Sequence, residues 1–248
     1  MSNELKLKFK VNYKEYPEFM FAIIAAYLPE SEGIDLRRVA GSVVFRHEDR
    51  DGCTYKNGVL HSYNDKPAVI NGDYQVWYKN GERHREGDLP AVINGDSQSW
   101  YKYGKFHREG DLPAIINVQV KAWYKNGKLH SEGGMPAVIN GDYQAWYKNG
   151  ERHSEGDHPA VINGNYQEWW KNGKLHREGD LPAIIDGDSQ AWYKKGERHR
   201  EGDLPAIINR YSQLWYKYGD LHREGDLPAV ISGDRREWWK NGECYTEE

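Results

Sequence analysis

Tryptophan recurs at positions 77, 100, 123, 146, 169, 192, 215 and 238, at one interval held without exception. Histidine keeps the same step at 61, 84, 107, 130, 153, 176, 199 and 222, and proline at 67, 90, 113, 136, 159, 182, 205 and 228. Three residue types locked to one period define a repeat array, in which each unit buries its apolar face against its neighbours. One unit reads W-Y-K-N-G-x-x-H-R-E-G-D-L-P-A-V-I-N-G-D-x-Q-x.

Each unit carries two turn signals. Asn80-Gly81 and its equivalents supply the two positive-φ positions of a type I′ hairpin, and Asn94-Gly95-Asp96 supplies a second turn. Between them, Gln75–Lys79 and Ala91–Ile93 are rich in aromatic and β-branched residues, as strands require. The proline sits at a strand start, where a missing amide donor is tolerated. The prediction is two strands per unit in a continuous antiparallel meander, an elongated twisted sheet of roughly 75–80 Å if it stays open. Alternation sends Trp77 and Tyr78 to opposite faces, with one aromatic row covered and the other partly open. Composition agrees with a thin structure: hydrophobic residues are only 38% of the chain, yet aromatics reach 13%.

The array departs from its pattern in few places. The first unit has Thr54 in the tryptophan position, with Ser42–Phe45 standing in for its missing strand, and the last unit stops near Cys244. Asn117-Val118-Gln119 and Asn209-Arg210-Tyr211 lack the Gly-Asp turn. The N-terminal segment carries no repeat. Leu5, Leu7, Phe9 and Val11 alternate with lysines, which predicts a strand, followed by a helix from Pro17 to before Pro29 and a short one over Asp35 to Val39. The chain thus divides into an α+β cap, 1–41, and an array, 42–248, of eight Trp-bearing units plus a degenerate first unit. A closed ring is the alternative shape, since it would bring Cys53 and Cys244 together.

The motif W-Y-K-N-G-x-x-H resembles the MORN repeat, and the fuller W-Y-x-N-G-x-x-H-R-x-x-x-x-P-A resembles the MORN-like arrays of large DNA viruses and some phages. The likeness covers residues 54 to 245. It departs where Arg85 or Ser131 follows the histidine and where the glycine two before the tryptophan is missing. The resemblance implies a β-hairpin scaffold, self-association and, in that family, membrane contact through phosphoinositides. Tyr16-Pro17-Glu18, Ile23-Ile24, Tyr27-Leu28-Pro29 and Leu36-Arg37-Arg38-Val39 resemble an F-box, which implies an adaptor role set against that of a plain structural cap.

Chemistry has few footholds. His84, Glu86 and Asp88 are residue types fit for acid-base work or metal binding, but the trio recurs unit after unit, and an enzyme needs one pre-organised site. A structural histidine, stacked on the adjacent tryptophan or bonded to a turn carbonyl, is the expectation instead. Histidines of adjacent units would lie roughly 9–10 Å apart, too far to share one zinc. The expectation is no catalytic residue, no metal and no cofactor. Net charge of -4, with acids interleaved among the cations, disfavours nucleic acid and gives membrane contact little support. Two cysteines and no signal peptide point to a reducing, intracellular compartment rather than secretion, and the resemblance to viral arrays implies the host cytoplasm or a virion. Protein partners or self-association remain, with Trp77, Trp100, Trp123, Trp146, Trp169, Trp192, Trp215, Trp238, Arg210 and Tyr211 as the candidate interaction surface.

Overall fold

The computed structural model of the protein describes residues 46–48 and 52–245. The cap over 1–41, with its strand, helices and F-box-like segment, and the strand expected at Ser42–Phe45 lie outside the described residues. The strand that precedes the first unit here is Arg46–Glu48, paired antiparallel with Thr54–Lys56.

The array is mainly β, and no helix occurs among the described residues. Each unit holds four short strands rather than two. The strand expected over Gln75–Lys79 divides at Trp77: Tyr74–Val76 pairs on both sides within a long sheet, while Tyr78–Lys79 pairs with Glu82–Arg83 in a small ribbon. The cause lies in the backbone at the tryptophan. Its amide donates to the Ala91 carbonyl at 2.8 Å, and its carbonyl accepts from the His84 amide at 3.0 Å. Trp77 is therefore the corner where the chain leaves the sheet for the ribbon.

Turn chemistry fixes both hairpins. Asn80 and Gly81 have φ of 51° and 86°, the paired left-handed geometry that type I′ demands. In the sheet hairpins the first central residue is glycine, as at Gly72 with φ 58°, which fits type II′. The two units without Gly-Asp close differently. Asn117 Oδ1 accepts the amides of Gln119 and Val120, and Asn209 Oδ1 accepts those of Tyr211 and Ser212, so an asparagine side chain replaces the glycine turn.

The main sheet runs through 17 strands from Val69–Asn71 to Glu243–Tyr245, antiparallel throughout. Within it the first strand pairs only with Tyr74–Val76 and the last only with the end of Arg235–Lys240, so the sheet is open and not a ring. Sixteen strand steps at about 4.8 Å give a ladder on the order of 77 Å. Ribbons stack beside it, each tied to the one before by a backbone bond such as Gly104 N–H to Arg83 C=O at 2.9 Å.

The core is thin. Ala68, Ala91, Ala114, Ala137, Ala160, Ala183, Ala206 and Ala229 are all at 0% exposure, next to the tryptophan row. The first seven, Ala68 to Ala206, sit on the ladder with their amides bonded across to the strand before the next tryptophan, as Ala91 N–H to Ser99 C=O at 2.9 Å.

Candidate interaction surface

Of the two aromatic rows, tryptophan at the corner of each unit is the more covered one, and tyrosine begins the ribbon. Trp77, Trp100, Trp169, Trp192 and Trp215 are 4–5% exposed. Tyr78, Tyr101, Tyr124, Tyr147, Tyr193 and Tyr216 are half-buried. Five of the eight tryptophans named as candidate contacts are thus core residues, because each indole lies under an arginine of its own unit. Arg85, Arg108, Arg177, Arg200 and Arg223 each place their guanidinium carbon 3.8 Å from the indole centroid of Trp77, Trp100, Trp169, Trp192 and Trp215.

That arginine does three things at once. Arg200 stacks on Trp192, forks its Nε and Nη2 onto both oxygens of Asp180 at 2.7 Å, and donates from Nη1 to the Pro205 carbonyl at 3.3 Å. Asp180 belongs to the preceding unit, so the clamp is a junction between units. The planar guanidinium suits the site: its face stacks while its edge makes the parallel fork to a carboxylate. The hydrogen bonds from arginine hold Asp65, Asp88, Asp157, Asp180 and Asp203 below the usual carboxylate range, opposed by desolvation.

The histidines form the second junction. In all eight units Nδ1 accepts the backbone amide 19 residues ahead, from Asn80 onto His61 at 3.1 Å through to Asn241 onto His222 at 3.1 Å. An accepting Nδ1 leaves the ring proton on Nε2. In seven of the eight, all but His61, that atom faces the glutamate two residues on, as in His107 to Glu109 Oε1 at 2.8 Å. A lysine reaches the same oxygen, Lys102 at 3.0 Å, and His107 and then Lys102 bring the Glu109 carboxyl down to about 2. The bond expected from sequence, to a turn carbonyl, is thus replaced by one from a turn amide of the next unit. Where that turn carries tyrosine, the ring also stacks, His84 on Tyr103 at 4.5 Å and His199 on Tyr218 at 4.2 Å.

The trio of His, Glu and Asp therefore does not converge. In the unit of His84, Glu86 faces its own histidine and Lys79, whereas Asp88 is held by Arg108 of the next unit. Among the described residues no three histidine, cysteine or acidic side chains gather as a metal set. One carboxylate is built differently: Glu168 is 9% exposed, accepts Trp170 Nε1 at 2.7 Å and Arg152 Nη1 at 3.2 Å, and is also bonded by the Tyr166 hydroxyl. Burial and that carboxylate push the Tyr166 phenol well above its usual range.

The other candidate contacts are on the outside. Tyr211 is 73% exposed with Arg210 stacked against it at 5.7 Å, and Val118 at the matching tip is 85% exposed. The remaining tryptophans, 123, 146 and 238, are half-buried or nearly so. For Trp123 and Trp146 the reason is local: the clamp position holds Ser131 and Ser154. Each serine hydroxyl bonds a carbonyl four residues on, Met135 and His158, and is too short to cover an indole.

Two features go beyond what the sequence predicts, the alanine column and the clamp. A signal for the clamp is present, an arginine after five of the histidines with an aspartate at one fixed place in the unit before it. Repeated antiparallel hairpins in one long sheet fit a MORN-like repeat protein. No protein-family model matches the chain, and no curated protein matches it.

Proposed function

We propose that the protein is a non-catalytic scaffold for protein interaction or assembly. The observation that carries this is the use made of histidine: each of the eight repeat histidines has Nδ1 engaged by an amide of the next unit, in equivalent places. Repetition of that kind provides a long surface with a regular spacing and favours no single unit as a reaction centre. The likeness to arrays of large DNA viruses suggests a virus particle or an infected cell's cytoplasm as the setting. No cofactor or metal belongs to this reading.

The test is affinity capture from the native cell or particle, with the full chain and with residues 42–248 as baits. A specific partner held by both baits supports a scaffold working through the array. A partner lost with segment 1–41 moves function to that segment and turns the array into a spacer. An enzymatic activity abolished by replacing one histidine, with the fold intact, would overturn the proposal.

A further inference from the structure

We infer that the unit at Trp123 is a receptor for an arginine side chain of a partner protein. The inference deepens the interaction-scaffold reading and rests on it. Its template is inside the molecule. At Trp77 the indole Nε1 donates to the Asp65 carbonyl at 3.1 Å, Asp65 has φ 54°, and Arg85 fills the space over the ring while forking onto the Asp65 carboxylate. At Trp123 the indole Nε1 donates to the Asp111 carbonyl at 3.1 Å, and Asp111 has φ 54°. Ring, carbonyl and aspartate backbone match in both places. What differs is that Ser131 stands where Arg85 does, and the guanidinium is gone.

The consequences are visible around the ring. Trp123 is half-buried where its clamped counterparts are almost fully covered. Asp111 is exposed, and its Oδ1 accepts a 3.3 Å bond from the Glu132 amide; no arginine or lysine pairs with it among the described residues. The next unit lacks the same fittings: Trp146 has Ser154 in place of arginine, but Gly134 in place of aspartate. At Trp238 the clamp position falls on Thr246, outside the described residues. Among the units whose clamp position is described, Trp123 alone keeps the indole and the carboxylate while lacking its own cation. Arginine fits better than lysine, since an ammonium cannot stack flat and fork at once.

The experiment uses the full ¹⁵N-labelled chain and watches indole Nε1–H resonances during titration with acetyl-Gly-Arg-Gly-amide. The expected result is saturable movement of the Trp123 signal, with the clamped indoles still. Lysine and citrulline versions of the peptide should bind at least about fivefold more weakly, since each loses half of the recognition. Ser131→Arg installs the clamp already present in five units and should abolish the response. Asp111→Asn should weaken it by about fivefold without disturbing the ladder. A Trp123 signal that ignores the arginine peptide, or answers it equally in Ser131→Arg, overturns the inference. Equal response to citrulline overturns it too. If the array captures a partner equally well with and without Ser131→Arg, the receptor falls and the scaffold reading stands. If the peptide binds as expected but the array captures nothing, the receptor stands and the scaffold reading falls.

Discussion

The clamped units around Trp169, Trp192 and Trp215 and the bare pair at Trp123 and Trp146 share a backbone but not a surface. In both regions the tryptophan amide reaches the carbonyl of a ladder alanine at 2.8 Å, Trp123 to Ala137 as Trp192 to Ala206. The ladder therefore forms with or without arginine. Main-chain bonds and turn geometry set the fold, and the clamp adds stability and a closed face. A repeat that keeps its backbone while losing its clamp can change its surface at one place without refolding the rest.

The comparison can be broken by stripping a clamp. Arg200→Ala removes a stack and a fork from a buried indole and is expected to cost about 2 kcal/mol. Chemical denaturation reads the loss, and amide exchange should place it at Trp192 and Ala206. The reverse change is smaller. Ser131→Arg meets Asp111 already in place and should stabilise by about 1 kcal/mol, seen as a shifted denaturation midpoint with an unchanged slope.

A double-mutant cycle sharpens the contrast. Ser154→Arg alone finds Gly134 and should stay within about 0.5 kcal/mol of the parent, while adding Gly134→Asp should reveal a coupling of about 1 kcal/mol. A coupling near zero would mean that the stack alone makes the clamp. The smallest effect is acidic. Arginine lowers the folded-state carboxyl of Asp180, so its contribution is complete above the ordinary aspartate value of 3.8 and is lost as pH falls through the depressed one. A carboxyl-carbon titration should place Asp180 below that ordinary value, and Arg200→Ala should return it there.

The array is legible in the sequence because its period is carried by residues with fixed jobs. Asparagine and glycine at 80 and 81 specify a turn by their left-handed conformation, whatever surrounds them. The corner at Trp77 is not legible, since a run of five rich in aromatic and β-branched residues reads as one strand unless the partners of each half are known. The covered state of the indoles is hidden for a related reason. Tryptophan marks a core or a contact surface equally well, and the deciding arginine lies beyond a hairpin turn of the chain. Histidine has a structural place in both readings but a different bond, because the acceptor role of Nδ1 depends on a neighbour 19 residues ahead.

Each junction is made by offsets that never leave the period: a histidine reaches 19 residues forward, and an arginine reaches 20 back. The array is thereby a ruler with one graduation. Adding or removing a whole unit hands every histidine a new amide of the same kind and changes the length by about 9.6 Å, two strand spacings. Any other insertion inside a clamped unit puts at least one of these offsets out of step. Length in such a molecule is inherited in whole graduations, and the reach between whatever it holds at its two ends can be reset without redesigning a single contact.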